Sequence, residues 1–316
     1  MKTPIQISVI IPSYNSARFL ETSVGSVLSQ SYPAAEIIVI DDGSSDDTPE
    51  VAARYGPSVR YIRRPNGGLS AARNTGLKNA SHPWVAFLDA DDWWDSRKLE
   101  LQVGALQACP EAVLCYTARL LVYSDGSQEI REARPTADVW RSLRHENSIT
   151  PSTVLMRRDL CLKAGGFDEK LVACEDWDLW FRLGPDCRMV AVEAPVTTYR
   201  VSTTSMSGDI DRMLTGVRVM LDQTLLRDLT GFRRWFWKRR IWSSQLFRCA
   251  IVAREAQHPE RSLSLLLRSF AAWPSPLFLA QRWSFLVVHF RRRVSQFAGT
   301  DPVGHSRTRR AKATAK

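Results

Sequence analysis

Apolar and polar positions alternate in a simple order through the first ninety or so residues. Ile7-Ser8-Val9-Ile10-Ile11, Glu36-Ile37-Ile38-Val39-Ile40 and Trp84-Val85-Ala86-Phe87-Leu88 are short runs rich in β-branched and aromatic residues, and each ends abruptly in polar ones. Runs of that length and composition predict strands, the last of them buried on both faces. Between the first two, Phe19, Leu20, Val24, Val27 and Leu28 recur at helical spacing. Asp47-Thr48-Pro49-Glu50 reads as a capping box with proline in the first turn, Val59-Arg60-Tyr61-Ile62 as a further strand, and Leu69 to Ala80 as a helix of small residues. Strands alternating with helices at this spacing predict an α/β fold, a mostly parallel twisted sheet flanked by helices.

The strand exits carry the candidate chemistry: Ser13 and Tyr14 after the first, Asp41 and Asp42 after the second, Asp89 and Asp91 after Leu88. In a parallel sheet these exits share the carboxyl edge, where open α/β sheets bind ligands. The last exit is the sharpest, with Asp89, Asp91 and Asp92 falling within four residues. Such crowding costs stability unless a cation sits among the carboxylates. Hard oxygen donors suit Mg²⁺ or Mn²⁺, metals that usually also hold substrate phosphates. The bland alternative is a solvated acidic loop that caps a helix at Ser96.

Beyond Asp95 the pattern predicts a helix over Arg97 to Ala108, a strand at Val113–Tyr116 and a hairpin from Leu120 to Ile130 around Asp125-Gly126. A strand at Ser152–Met156, a short helix over Arg158 to Ala164 and strands at Met189–Val192 and Val196–Arg200 follow. Residues 131–149 show no clear period. Glu175-Asp176-Trp177 opens a helix whose acidic first turn suits the helix dipole.

Charge separates the end of the chain from the rest. The net charge is +10, but from Gly231 onward 18 Lys+Arg stand against 3 Asp+Glu, so the first 230 residues are slightly acidic. Apolar residues at 210, 214, 217, 221, 225 and 229 predict a helix with one buried face. The stretch Phe232-Arg-Arg-Trp-Phe-Trp-Lys-Arg-Arg-Ile-Trp242 then interleaves aromatic with basic residues, which suits a helix lying on anionic lipid. The alternative is a helical subdomain that packs its tryptophans and leaves a solvated basic face. No nucleic-acid-binding module is recognised, so nucleic acid is not an expected partner. The six cysteines show no metal-binding spacing and predict free thiols in a reducing compartment. No secretory signal or apolar run of transmembrane length is read, and a cytoplasmic protein is expected.

Several motifs stand together in order: Ser8-Val-Ile-Ile-Pro-Ser-Tyr-Asn15, Gln30-Ser-Tyr-Pro33, Ile38-Val-Ile-Asp-Asp-Gly-Ser-Ser45, Gly67-Gly-Leu-Ser-Ala-Ala-Arg-Asn-Thr-Gly76, Phe87-Leu-Asp-Ala-Asp-Asp92, Gly165-Gly-Phe-Asp168, Glu175-Asp-Trp177 and Tyr199-Arg200. The set, over about residues 5–207, resembles family 2 glycosyltransferases of the GT-A fold. The resemblance implies a GT-A domain over residues 1–207, with a nucleotide-sugar half to about 95 and an acceptor half over 96–207. A helical basic and aromatic extension over 208–298 and a disordered basic tail over 299–316 complete the expected organisation.

By the same resemblance, Pro12 and Tyr14 line the base of a nucleotide-sugar, and Asp42 accepts a hydrogen bond from that base, with Asp41 its neighbour. Arg73 pairs with the nucleotide or its diphosphate. Asp91 holds the metal, with Asp89 near the ribose or the metal. Asp176 is the base, and Glu175 supports it or binds the acceptor. Asp92 is expected to cap a helix or to support these groups, and Trp177 and Trp180 either face the acceptor sugar or fill the core. The implied reaction is inverting transfer from a nucleotide-sugar, taken as a UDP-sugar, to a hydroxyl acceptor in surface polysaccharide or lipid-linked glycan synthesis. The enzyme would work at the inner face of the plasma membrane, held peripherally through residues 231–293. One position departs from the family pattern: Ser202 stands where many members carry a histidine two residues after Tyr-Arg. A sugar-nucleotide nucleotidyltransferase is the alternative enzyme, although Ser13-Tyr14-Asn15 is not the glycine-rich, Lys/Arg-bearing loop it needs. The non-enzymatic alternative is a membrane-associated nucleotide-sugar-binding scaffold.

Overall fold

The structure is a computed structural model that describes residues 4–201 and 208–274, together with Arg282 and Phe285. Ser202 and the residues to 207, residues 275–281 and 283–284, and all from 286 onward, the 299–316 tail included, lie outside the described residues. The chain forms two compact units, residues 1–245 and 246–316.

The first unit is built on one nine-stranded sheet. Its first half alternates strand and helix: β1 (Ile7–Ser13), α1 (Ala17–Leu28), β2 (Glu36–Asp41), α2 (Thr48–Ala53), β3 (Arg60–Arg63), α3 (Leu69–Asn79) and β4 (Trp84–Phe87). These four strands lie side by side as β3-β2-β1-β4, all parallel. Successive side chains of a strand point to opposite faces, and here both faces are covered. Ile10, Ile38, Ile40, Val85 and Phe87 enter one core with Ala72 and Leu77 of α3. Val9, Ile11, Ile37, Val39 and Ala86 enter the other, with Leu20, Val24 and Val27 of α1. That double burial is why these strands read as unbroken apolar runs.

The second half of the sheet is mixed. It adds β5 (Trp93–Trp94), β6 (Leu114–Tyr123), β7 (Gln128–Arg131), β8 (Leu155–Arg157) and β9 (Met189–Val201), with the order continuing β4-β8-β6-β9-β5 and β7 paired to β6. β8 runs antiparallel to both β4 and β6, whereas β9 is parallel to β6. Helices α4 (Lys98–Ala108), α5 (Thr136–Leu143), α6 (Arg158–Lys163) and α7 (Glu175–Arg182) fill the connections, and α8 (Ile210–Met220) follows the last strand.

Local chemistry explains where these elements differ from expectation. Of the strand expected at Ser152–Met156, residues 151–153 wind into a 3₁₀ turn, and only Leu155 and Met156 fall within β8. Pro151 opens that turn at a position needing no N–H. The two strands expected at 189–192 and 196–200 are one strand, whose pairing to β6 slips between Thr117 and Arg119. Pro195 lies in the slipped segment, as suits a residue with no ladder donor. The capping box expected from Asp47 does not form; Asp46 takes its place, accepting from Thr48 N at 3.1 Å and Thr48 Oγ1 at 2.6 Å, and from Ala17 N at 3.0 Å. One carboxylate thus ties the starts of α1 and α2. The helix expected over 210–229 is α8 followed by a π turn at Leu221–Leu225.

Helix α9 (Gly231–Glu255) carries the aromatic-basic stretch, and the division between the units falls within it. In the second unit α10 (Pro259–Ala272) follows, with Leu246, Ala250, Ala253, Leu265 and Leu266 buried and Ser262 Oγ donating to Ala250 O at 2.7 Å. No helix among the described residues is long and apolar enough to cross a membrane.

Helix α3 sits hard against β1 at Gly76, where a Cβ would lie 2.3 Å from Ile10 Cγ2. Ile10 is wholly buried and cannot yield. Gly76→Ala is therefore expected to lower stability by about 1–3 kcal/mol through overpacking, despite alanine's better helix propensity. Urea unfolding measures it, and an unchanged midpoint would refute the close contact.

Candidate active site

The parallel half of the sheet delivers its strand exits to one edge. Ser13 pairs in register with Asp41, and Asp42 N donates to Ser13 O at 2.9 Å, so the first two exit loops are joined. Asn15 closes the joint: its Oδ1 accepts from Ser45 N at 2.8 Å, and its N–H donates to Ser44 Oγ at 2.9 Å. Pro12 is buried within the strand, while Tyr14 beside it is 52% exposed, an aromatic ring left open at the edge. Gln30 clips the acidic exit to α1 and α4, donating to Asp95 O at 2.7 Å and accepting from Leu99 N at 2.9 Å.

The two aspartates after β2 have different surroundings. Asp41 is wholly buried and accepts from Ser44 N at 2.8 Å and from the Tyr61 hydroxyl at 2.5 Å. Burial, then that hydrogen bond to Asp41, pushes the Tyr61 phenol up. Asp42 pairs with Arg64 and accepts from Gly67 N at 3.1 and 3.2 Å and from Gly68 N at 2.7 Å. It thereby holds the turn that starts α3, the helix that carries Arg73.

Arg73 is the junction of the site. It is only 1% exposed, and its guanidinium donates to Asp89 Oδ1 at 2.6 Å and to Glu175 Oε1 at 2.7 Å. The ring of Phe167, from the Gly165-Gly-Phe-Asp168 turn, lies 5.2 Å from its central carbon. Burial alone would lower its pKa, but Asp89 and then Glu175 hold it above the ordinary value. Its Nε finds no partner among the described residues. Two motifs far apart in sequence, on the exit of β4 and the start of α7, are thus fastened to one side chain.

Asp91 and Asp92 divide the remaining roles of the acidic loop. Asp92 is buried and accepts from Ser152 Oγ at 2.6 Å and from Arg200 N at 3.0 Å. Ser152 in turn meets Asp89 N at 3.2 Å. The Arg200 guanidinium lies over the rings of Phe19 and Trp93, at 4.7 and 5.0 Å, and donates to Asp91 O at 3.2 Å. Burial, then the charge of Asp89, pushes the Asp91 carboxyl up to about 6, against a hydrogen bond from its own backbone N–H. With Asp89 Oδ1 taken by Arg73, Asp89 Oδ2 and the Asp91 carboxylate remain as crowded hard-oxygen donors. They fit a divalent cation such as Mg²⁺ or Mn²⁺, with the balance of its ligands left to phosphate and water. No group of three His, Cys, Asp or Glu able to hold a metal occurs among the described residues.

On the other side, Glu175 and Asp176 open α7. The residue before them, Cys174, is held in the left-handed region at φ 66°, a strain of about 1–3 kcal/mol for a side-chain-bearing residue. Close packing keeps it there: a Cβ at Gly216 of α8 would lie 2.4 Å from Ala173 O. Asp176 is half-buried and accepts from Asn147 Nδ2 at 2.7 Å and from Trp177 N at 2.7 Å. Burial, then the charge of Glu175, pushes its carboxyl up to about 7. Trp177 and Trp180 are core residues, 2% and 0% exposed, with their indole N–H groups given to Leu143 O and Ile149 O. Asn147, Ser152 and the stacked Arg200 are contributors that patterning alone did not assign. Asn147 sits in the stretch without a period, where sequence offers no signal for it. A cleft of about 540 Å³ lies elsewhere, lined by residues that include Asn74, Lys78, Glu169 and Arg182, and by none of these carboxylates.

Breaking a buried ion pair strands its partner charge at a cost of about 3–5 kcal/mol. Arg73→Met keeps the bulk but strands Asp89 and Glu175, and is expected to lower unfolding stability by about that amount. A loss under about 1 kcal/mol in urea titration would show that the bridge does not hold the two halves.

Comparison with known proteins is consistent with this geometry. The family described as Glycosyl transferase family 2 matches residues 8–162. An uncharacterized glycosyltransferase of Rickettsia prowazekii is 32% identical over 183 residues, covering 56% of this chain and 58% of the relative, so the chain spans little more than half its length. The Escherichia coli protein named UDP-Glc:alpha-D-GlcNAc-diphosphoundecaprenol beta-1,3-glucosyltransferase is 30% identical over 207 residues, 64% of this chain and 80% of that one. Among solved structures, TarS of S. aureus in complex with UDP-GlcNAc aligns with a TM-score of 0.59 at 19% identity, over 85% of this chain and 81% of TarS. A Pyrobaculum calidifontis mannosyltransferase in complex with GDP-Man and Mn2+ aligns with a TM-score of 0.59 at 18% identity, over 94% of this chain and 84% of its own. The fold is the GT-A fold of these structures, and the chain belongs to glycosyltransferase family 2.

Proposed function

We propose that this protein is an inverting glycosyltransferase that moves a sugar from a nucleotide-sugar, a UDP-sugar, to a hydroxyl of a polysaccharide or lipid-linked glycan. The observation that carries the reading is the bridge through Arg73, which holds Asp89 beside Asp91 at one side of the site and Glu175 beside Asp176 at the other. Inverting transfer needs that pairing: charge control at the leaving diphosphate, and a carboxylate at the attacking hydroxyl. The names of relatives support the substrate class, since the E. coli protein is named for UDP-Glc and a diphosphoundecaprenol acceptor. A Bacillus subtilis relative, 38% identical over 126 residues, is named a putative teichuronic acid biosynthesis glycosyltransferase.

In this reading Tyr14 stacks on the nucleotide base beside Pro12. Asp42, with Asp41 behind it, fixes the rim of the nucleotide cleft through the Arg64–Gly68 turn. Asp91 and Asp89 would hold Mn²⁺ or Mg²⁺, which when bound neutralises charge on the departing diphosphate. Asp176, kept in place by Asn147, takes the proton of the acceptor hydroxyl as its oxygen bonds to the anomeric carbon. The bond from that carbon to the diphosphate breaks, and its electron pair leaves with the nucleoside diphosphate. Glu175 anchors Arg73 and raises the basicity of Asp176. A lipid-linked acceptor implies peripheral work at the inner face of the plasma membrane, to which the basic, aromatic stretch 231–293 is suited.

Thermal shift with UDP-, GDP- and dTDP-sugars, with Mn²⁺, Mg²⁺ or EDTA, tests donor binding. Stabilisation by a UDP-sugar that needs the metal and is lost in Asp91→Asn is expected; no response to any donor would refute the reading. Asp176→Asn is expected to lower kcat by about 10²–10⁴ while leaving donor binding intact.

The pH profile carries a sign. A base with its pKa raised to about 7 is protonated and inactive below that pH, so kcat/KM should rise through pH 7 and level off above it. In Glu175→Gln the neighbouring negative charge is gone, and the midpoint should move to lower pH. A midpoint that stays put would remove Glu175 from this role.

A further inference from the structure

Helix α9 is amphipathic in an unusual sense, because both of its faces carry aromatic and basic residues. The residues at 234, 237, 238, 241, 242 and 245 follow helical spacing and face the protein. Arg234 and Lys238 pair with Asp222 at 2.9 and 2.7 Å, and Trp237 stacks on His145 at 5.1 Å. Ile241 is buried, Trp242 packs on the core, and Gln245 donates to His145 O at 3.0 Å. The second stripe, at 232, 235, 236 and 239, has the same spacing and is exposed at Phe232 and Trp235 and half-buried at Phe236 and Arg239. Phe232 is 73% exposed and stacks on Trp235, itself 48% exposed, at 5.5 Å. Phe236 lies 6.1 Å from Phe232, the Arg239 guanidinium is 5.4 Å from the Trp235 ring, and Arg233 is exposed beside them.

We infer that this outer stripe, Phe232, Trp235 and Phe236 flanked by Arg233 and Arg239, docks the protein on an anionic lipid bilayer. Aromatic rings prefer the headgroup level, and guanidinium groups at their margin pair with anionic phosphates. Charge argues for lipid over a second copy of the chain: residues 231–245 carry five Lys+Arg and no Asp or Glu, so two such stripes would meet with like charge. The inner stripe makes the contact consequential. Asp222, which receives Arg234 and Lys238, lies in the π turn after α8, and Thr224 of that turn donates to Asp178 of α7. Helix α7 begins with Glu175 and Asp176. The bilayer contact is therefore linked, through three side-chain contacts, to the helix that carries the acceptor-side carboxylates. The proposed transfer to a lipid-linked acceptor gives the contact its purpose, and the contact itself is a property of the surface.

Co-sedimentation of the full chain with vesicles tests it. Binding to equimolar phosphatidylcholine and phosphatidylglycerol is expected, weakened by salt and absent with phosphatidylcholine alone. Phe232→Ser with Trp235→Ser should lower vesicle affinity at least about tenfold by removing apolar area from the contact, with an unchanged thermal midpoint because both rings are exposed. Arg233→Gln with Arg239→Gln should weaken binding and flatten its salt dependence. Wild-type protein that ignores anionic vesicles would overturn the inference. So would a double aromatic variant that binds as wild type does, or one whose effect is to turn a dimer into a monomer. Vesicle binding by a protein inert towards every donor would refute glycosyl transfer and leave this inference standing.

Discussion

Arg73 is one cation shared by two carboxylates that the chain brings from 16 and 102 residues away. A guanidinium at 1% exposure can stay in the protein only if its partners stay charged and close, because an unpaired buried charge costs several kcal/mol. That constraint works in both directions. Arg73 fixes the exit of β4 and the start of α7, and those elements must be placed correctly for Arg73 to be buried at all. Much of the surrounding structure serves this placement. Gly76 lets α3 lie flush on Ile10, Asp42 holds the turn where α3 begins, and Asn74 clasps Phe167 through its amide, donating to Phe167 O at 2.8 Å and accepting from Phe167 N at 2.9 Å.

The same crowding gives the site its electrostatic character. Five carboxylates lie along one run of contacts, and burial with mutual repulsion pushes Asp91 up to about 6 and Asp176 up to about 7. Groups poised there change protonation near neutrality, whereas solvated aspartates do not. Asp92 is the support of the group, tied to Ser152 and to the backbone of Arg200, so that β8 and β9 hold the acidic loop from the mixed half of the sheet. A fold of this kind hosts many functions, and the proposed chemistry rests on these particular side chains.

Helix α9 shows how a single stretch serves two purposes. Read as a string, Phe232 to Trp242 is uniformly aromatic and basic. Wound at 3.6 residues per turn, it separates into one stripe that closes the core with Trp237, Ile241 and Trp242, and another that presents Phe232 and Trp235 to the surroundings. One side of the helix is thus packed into the core, and the other carries the exposed rings from which lipid docking is inferred.

The sequence by itself determined the parallel half of the sheet. Its strands are buried on both faces and so must be continuously apolar, and its functional loops must fall at their carboxyl ends. The order of motifs likewise gave the family, and it pointed to Asp89, Asp91, Glu175, Asp176 and Arg73 before any geometry was known. Tertiary structure alone decided what those residues touch. That Arg73 is buried between two motifs, that Asp46 and not Asp47 caps α2, and that Trp177 and Trp180 are core depend on contacts between residues remote in sequence. Asn147 came from a stretch without periodicity, because a hydrogen bond to Asp176 needs only one well-placed amide and no repeating pattern. The mixed half of the sheet was less legible for the same reason: its strands are interrupted by a 3₁₀ turn and a slipped register, whose causes lie in the partners they meet.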